Sequence, residues 1–230
     1  MFWELGDKNP AMHNGATPLY FAAQNGHYEI CKLTINNVDD KNPATNDGVT
    51  AFYMAACQGH YQICKLIIEY LDDKNPAMSN GVTPLLMAAK KGHYEVCKLI
   101  ISNVDDKNPA NNDGLTPLYM AALNNHFDIC ELIIDNVNDK HPATTNGFTP
   151  LYMAAQKGHY DICKFIINSV EDKNPAMDDG RTPLQLAADN GHSEVFKLIS
   201  ENVSVKIPKQ IMEPIFLFSL PVWSLVWAFK

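Results

Sequence analysis

The chain has 230 residues, a length typical of one globular domain or one repeat array. It carries 18 lysines and arginines against 26 aspartates and glutamates, a formal net charge of −8. This acidic balance argues against a nucleic-acid partner, which requires a basic stripe facing the phosphates.

A threonine recurs every 33 residues along most of the chain without an insertion, at Thr17, Thr50, Thr83, Thr116, Thr149 and Thr182. A strict period of this length marks a stacked repeat array. The period predicts a short segment at 1–6, six repeats at 7–39, 40–72, 73–105, 106–138, 139–171 and 172–203, and a tail at 204–230. Because Phe2 precedes Ile35 by one period, we interpret 1–6 as the remnant of a preceding repeat. The alternative is that this segment covers the exposed end of the array.

The third repeat shows what each position contributes. Thr83 predicts the N-cap of a first helix, and Pro84 suits its first position, where the missing N–H has no helical partner. Gly92 predicts a left-handed end to that helix. Apolar residues from Val96 to Ile101 then follow the 3.6-residue period of a second helix. Each repeat is therefore predicted to be two helices joined by a turn.

The repeated pattern TPL-x-x-AA-x-x-GH-x-x-V/I-x-x-L resembles the ankyrin repeat over about residues 7–203. The resemblance implies an all-α solenoid of helix-turn-helix units with β-hairpin-like turns, stacked with a concave face. It also implies a binding module for another protein. The histidine that often follows TPL in this family is replaced by Tyr20, Tyr53, Leu86, Tyr119, Tyr152 and Gln185. We therefore expect tyrosine packing or hydroxyl bonds to hold the loops.

Histidine and cysteine also recur once per repeat, at His27, His60, His93, His126, His159 and His192, and at Cys31, Cys64, Cys97, Cys130 and Cys163. Zinc ligands must converge on one ion, which a ladder of equivalent residues does not do. The histidines are therefore interpreted as structural groups that bond a loop. Phe196 takes the cysteine position in the sixth repeat, so that position is a packing site, and a buried thiol is inert. We predict no catalytic residue, no cofactor, no metal and no enzyme activity.

The tail at 204–230 departs from the repeat and contains an apolar run at 215–229. Its 15 residues are fewer than the roughly 20 that a membrane-spanning helix needs. Cysteine usage indicates a reducing compartment, so we expect a cytoplasmic protein. Two alternatives stay open: a membrane-anchored protein whose anchor is 215–229, and the regulatory ankyrin region of a longer enzyme or channel.

A second glycine lies in the turn that precedes each first helix, and one residue separates it from the capping threonine. This residue varies among repeats and, in the ankyrin family, points toward ligands. Four consecutive apolar residues and one arginine occupy it, at Val49, Val82, Leu115, Phe148 and Arg181. The predicted contact surface adds turn residues and first-helix residues, namely Met78, Lys90, Lys91, Asn111, Asn112, Asn124, Thr144, Gln156 and Lys157. An exposed apolar strip favours a protein partner of unknown identity. The alternative is that these side chains only pack on neighbouring turns. We expect a monomer.

The apolar pattern yields a test of the predicted core. Leu85→Ala is expected to lower the free energy of unfolding by roughly 2–5 kcal/mol, because it leaves a cavity between helices. Lys90→Ala, at a predicted surface position, should stay within about 0.5 kcal/mol of the parent. Urea unfolding measures both, and a neutral Leu85→Ala would refute the core assignment.

Overall fold

The computed structural model describes residues 8–203, so the predicted remnant at 1–6 and tail at 204–230 lie outside the described residues. These residues form the helices α1 Pro18–Gln24, α2 Tyr28–Ile35, α3 Ala51–Gln58, α4 Tyr61–Ile68, α5 Pro84–Lys91, α6 Tyr94–Ile101, α7 Pro117–Leu123, α8 Phe127–Ile134, α9 Pro150–Lys157, α10 Tyr160–Ser169, α11 Pro183–Asp189 and α12 Ser193–Asn202. Between residues 8 and 203 the only β pairing is an isolated bridge between Ala44 and Thr50. The all-α prediction is confirmed, and each predicted repeat range contains one helix pair.

The ends of the first helices follow from the residues named above. The hydroxyl of Thr83 accepts the N–H of Leu86 at 3.2 Å, which satisfies a donor that the helix itself leaves free. Gly92 ends α5 with a φ of 82°, and its N–H bonds back to the helix. In the fourth repeat Asn125 stands in place of the glycine and takes the same left-handed conformation, with a φ of 62°. The predicted caps are confirmed.

The core runs along each helix pair as a layer of small and branched side chains. Leu85, Ala88 and Ala89 on α5 are fully buried, and Val96 and Ile100 on α6 bury the facing surface. The two alanines remove bulk from the side of the first helix that meets its neighbours. Close packing of this kind makes a single repeat dependent on the repeats beside it.

The chain divides into two compact units, residues 1–139 and 140–230. In the first unit the first helices α1, α3, α5 and α7 pack in order, and they lie closer together than the second helices α2, α4, α6 and α8. In the second unit α9 and α11 likewise pack more closely than α10 and α12. The first helices therefore form the inner face of each unit, which is the face that the resemblance assigns to ligands.

An asparagine holds the turn before most first helices. The side-chain oxygen of Asn75 accepts the N–H of Leu85 at 2.9 Å, and Asn42 accepts the N–H of Phe52 at the same distance. Each bond satisfies one of the free donors in the first turn of the helix. Tyr119 and Tyr152 are buried, so the expected tyrosine packing is present. The side chains of Asn42 and Asn75 therefore hold the starts of α3 and α5.

The histidine ladder joins one repeat to the previous one. In the first unit the Nε2 atoms of His60, His93 and His126 lie 3.1–3.2 Å from carbonyl oxygens of the preceding repeat. In the second unit His192 Nε2 lies 3.0 Å from the Gln156 oxygen. A carbonyl only accepts, so Nε2 carries the proton in each case. The structural interpretation is confirmed for these four histidines.

In the first unit, glycine at the end of a first helix leaves room for the imidazole of the next repeat. A Cβ at Gly59 would lie 2.5 Å from Nδ1 of His93, whereas a Cβ at Gly191 would meet nothing within 4 Å. Both glycines have a positive φ, of 76° and 74°. Gly59 and Gly191 thus share the backbone conformation and differ in what stands beside them.

Gly191→Ala is expected to destabilise by about 1–2 kcal/mol, the strain of a left-handed residue that carries a Cβ. Gly59→Ala should add about 1–3 kcal/mol to that loss, because the imidazole of His93 must move and leave its carbonyl partner. Urea unfolding of the two full-length variants gives the comparison. Equal losses would show that the histidine contact does not constrain Gly59.

Candidate functional site

The predicted apolar row occupies one structural position in successive repeats of the first unit. Val49, Val82 and Leu115 are half-buried, and each closes the turn that leads into a first helix. The carbonyl of Val82 accepts the N–H of Met78 at 2.9 Å, and the other two make the equivalent bond at 2.8 and 2.9 Å. Each side chain therefore keeps part of its surface exposed, while its own backbone carbonyl closes the turn.

The second unit places Phe148 and Arg181 at the same position. Phe148 is half-buried, and its ring meets that of Tyr152 edge to face, with centroids 5.3 Å apart. Arg181 is exposed, and its Nε lies 2.7 Å from Oδ2 of Asp179. The backbone N–H and guanidinium of Arg181 hold the pKa of Asp179 below its usual value. Arg181 thus reaches solvent with its charge already partnered by a neighbouring carboxylate.

Two turn residues that were predicted to contact a partner make hydrogen bonds within their own turns. Thr144 is only 8% exposed, and its hydroxyl accepts the N–H of Phe148 at 3.0 Å. Its role as a contact residue stays a prediction, although burial leaves little of its side chain accessible. The side-chain oxygen of Asn111 likewise accepts the N–H of Leu115 at 2.8 Å, although Asn111 remains half-buried. Met78 is also half-buried at the equivalent position.

Asn112 is exposed, and it also links two neighbouring turns. Its backbone N–H donates to the Asn80 oxygen at 3.1 Å, and its side chain donates to the Ser79 oxygen at 3.2 Å. Asn46 makes the same pair of bonds to the first repeat, at 3.0 and 3.1 Å. Sequence reasoning missed this role of Asn46. The sequence did carry a signal for it, because Asn46 and Asn112 occupy the same position in the second and the fourth repeats.

The ends of the first helices supply the exposed polar part of the surface. Lys90 and Lys91 end α5, and Asn124 follows α7; all three are exposed. No acid among residues 8–203 forms an ion pair with either lysine. In the second unit Lys157 is exposed and Gln156 is half-buried. The end of α5 therefore carries local positive charge although the whole chain is acidic.

The repeated cysteines are buried, and burial disfavours their reactive thiolate form. Burial raises the pKa values of the Cys64, Cys97, Cys130 and Cys163 thiols to about 12, and that of Cys31 to about 11. The thiolate is the reactive form, so a high pKa and burial both suppress reaction. Within residues 8–203 no cluster of three or more histidine, cysteine or acidic side chains is arranged to hold a metal ion.

Alkylation of the native chain at pH 8 is expected to label Cys57 alone, because Cys57 is half-buried whereas the other five cysteines are buried. A thiol with a pKa near 12 is about one ten-thousandth thiolate at that pH. Mass spectrometry after iodoacetamide treatment identifies the labelled residues, and the same reaction in urea should label all six. Rapid native labelling of Cys97 would contradict the buried assignment.

No helix within residues 8–203 is both long enough and apolar enough to span a bilayer. The predicted anchor at 215–229 lies outside the described residues. The membrane-anchored alternative therefore stays a prediction.

Comparisons with known proteins support the repeat assignment. A family model for ankyrin repeats, in three copies, matches residues 3–78, 70–143 and 135–210. Among solved structures, the crystal structure of an ankyrin repeat domain from Acinetobacter baumannii is similar, with a TM-score of 0.73 and 24% sequence identity. That match covers 80% of this chain and 97% of the other, and it concerns the fold alone. No curated protein sequence matches the chain. Because the family model matches most of its length, the chain belongs to the ankyrin repeat family.

Proposed function

We propose that this chain is a non-enzymatic scaffold or adaptor that binds another protein through the inner face of its first helices and the preceding turns. Ankyrin repeats are in general protein–protein interaction modules. The observation that carries the proposal is the row of Val49, Val82 and Leu115, which keeps accessible apolar surface at one position in three successive repeats. Grouped apolar surface of this kind is typical of a binding surface.

The row is held in a rigid frame. Each of its backbone carbonyls closes a turn, and Asn46 and Asn112 connect neighbouring turns through two hydrogen bonds each. A surface that is ordered before binding loses less conformational entropy when a partner docks. The half-buried side chains therefore supply contact area at a low entropic penalty, and their burial by a partner would complete the desolvation that folding begins.

The exposed lysines give the surface its charge preference. Lys90 and Lys91 lie at the C-terminal end of α5, where a cation also interacts favourably with the helix dipole. Since no described acid pairs with them, their charge is available to a partner. Complementary charge steers association and selects among partners. The partner that suits the first unit presents apolar side chains next to acidic ones.

The second unit offers a different pair of contacts. Phe148 is the aromatic candidate for an anchor, since aromatic residues are enriched at interface hot spots. Its edge-to-face contact with Tyr152 orients the ring while leaving it half-exposed. Arg181, one repeat later, adds a cation that Asp179 holds in place. These residues support recognition of a partner that combines an apolar group with an acceptor.

A charge-reversal experiment tests the proposed face. The full-length chain is used as bait, and captured proteins are compared with those bound by Lys90→Glu/Lys91→Glu. We expect a specific partner to lose about tenfold in affinity, or about 1.4 kcal/mol, because two attractive contacts become repulsive. Purified partner then gives the dissociation constant by calorimetry.

The matched control is Lys65→Glu/Lys98→Glu, which makes the same change in net charge on exposed lysines of the second helices α4 and α6. Its affinity for the partner should match that of the parent within about twofold. Equal weakening by both double variants would indicate non-specific attraction to net charge. If Lys90→Glu/Lys91→Glu binds the partner with the affinity of the parent, the partner does not bind through the inner face.

A further inference from the structure

The turns that precede the first helices are joined in pairs in the first unit. Asn46 joins the turn of the second repeat to that of the first, and Asn112 joins the fourth to the third, each through its backbone N–H and its side-chain amide. The equivalent residue of the third repeat is Ser79, which is exposed. Within residues 8–139 no hydrogen bond connects Ser79 to the turn of the second repeat. We call this step, formed by residues 46–48 and Ser79, the open step.

The open step is also wider than the two closed steps. If the turn glycine carried a Cβ, that atom would lie 2.8 Å from the next turn in the first repeat and 2.9 Å in the third, but 3.5 Å in the second. The distances run from Gly15, Gly81 and Gly48 to the Cα atoms of Thr45, Asn111 and Met78. The three glycines share a φ of 78–82°. The spacing of the turns therefore differs, and not the conformation of the glycine.

The turn of the second repeat also leaves the carboxylate of Asp47 unused. In the first and third repeats Asn14 and Asn80 take this position, and their side-chain oxygens accept a backbone N–H of their own turns at 3.1 and 3.0 Å. In the second repeat the hydroxyl of Thr45 accepts the equivalent N–H, that of Val49, at 3.0 Å. Asp47 is exposed, and it forms no ion pair with any cation among residues 8–203. Its carboxylate is therefore available next to the open step.

We propose that the open step binds an arginine side chain of the protein partner, an inference that rests on the proposed function of the inner face. The guanidinium donates to the carbonyl oxygens of Asn46 and Asp47 and pairs with the Asp47 carboxylate. In the closed step before it, the equivalent carbonyls of His13 and Asn14 accept the two donors of Asn46. The partner's arginine supplies the two donors that Ser79 does not.

The chemistry of the open step favours arginine over other donors. Carbonyl and carboxylate oxygens only accept hydrogen bonds, so the ligand must be rich in N–H groups. A guanidinium carries five N–H groups in one plane and stays charged, whereas a lysine ammonium lacks the fork that reaches two neighbouring acceptors. A neutral amide would not neutralise Asp47. The half-buried side chains of Val49 and Val82, one residue after each turn glycine, offer apolar surface to the stem of the arginine.

The open step and the exposed lysines lie toward opposite ends of α5. The turn of the third repeat leads into this helix through Thr83, and Lys90 and Lys91 end it. The eight residues of α5 rise about 12 Å. A partner with an arginine at the step and an acid about that distance away meets complementary charge in only one direction along the helix. The open step thus sets the orientation of the bound partner as well as its selectivity.

The test starts from Ser79→Asn in the full-length chain, which supplies the asparagine that closes the other two steps. A phage-displayed library of random peptides is selected on the parent, and the bound phage are then screened on Ser79→Asn. We expect the peptides that bind only the parent to share an arginine beside apolar residues. The proposal is overturned if no selected peptide distinguishes the two proteins, or if the peptides that do so lack a common arginine.

Calorimetry with one selected peptide locates the arginine contact. Replacing the peptide's arginine by lysine should weaken binding to the parent about tenfold, because a bidentate site discriminates between the two side chains. The same replacement should change the affinity for Ser79→Asn by less than about twofold, since the step is closed there. Equal losses on both proteins would place the arginine elsewhere and overturn the proposal.

The matched control is Ser102→Asn, the same substitution at an exposed serine that follows the second helix α6. The peptide should bind this variant within about twofold of the parent affinity, because Ser102 is remote from the turns. Circular dichroism checks that both variants are folded. Ser79→Asn should fold, since asparagine occupies that position in the second and fourth repeats. Equal weakening by both substitutions would overturn the proposal.

Lys90→Glu/Lys91→Glu separates this inference from the proposed function. A protein partner that both this variant and Ser79→Asn weaken supports the arginine site. A partner that Lys90→Glu/Lys91→Glu weakens, but that binds Ser79→Asn as tightly as the parent, would overturn the arginine site and leave the inner face as the binding surface.

Discussion

The packing of each first helix against the first helix of the next repeat is the constraint on which the structure depends. Two consecutive alanines, such as Ala88 and Ala89 in α5, are fully buried in every such contact of the first unit after α1. Small side chains let helix axes approach closely. The second helices bury isoleucine and valine instead, and they lie farther apart within each unit. This difference in bulk makes the first-helix side the inner face.

Hydrogen bonds then hold the stacked helices in register. They are made by polar side chains that could otherwise suggest a catalytic or metal site. The imidazole of His93 bonds the Cys57 carbonyl of the preceding repeat, and the carboxamide of Asn75 satisfies a free donor of α5. A Cβ on residue 59 would lie 2.5 Å from Nδ1 of His93, so Gly59 leaves room for the ring. Because these groups are committed to stacking, our proposal assigns recognition to side chains at the ends and edges of the first helices, above all Lys90 and Lys91.

Sequence reasoning located the row of Val82 and its equivalents correctly in the turns, but it treated the residues around the row as interchangeable. Thr144 and Asn112 were both predicted to be contact residues, and only Asn112 is exposed. The side chain of Thr144 returns to the N–H of Phe148 because the hydroxyl sits within reach of its own turn. Asn112 instead donates across the gap to Ser79, 33 residues earlier. Which partner a short polar side chain finds depends on geometry that spacing alone does not contain.

By itself the sequence determined the helix pairs of each repeat and the threonine and glycine ends of the first helices. Each of these depends on interactions between residues no more than about ten positions apart, such as the bond from Asn75 to Leu85. Only the tertiary structure decided how exposed each equivalent residue is. Ile30 and Ile63 have the same type and the same place in their repeats, yet one is 51% and the other 2% exposed. Burial depends on whether a neighbouring helix pair covers the residue, and that neighbour is set by stacking rather than by the residue's own position in the repeat.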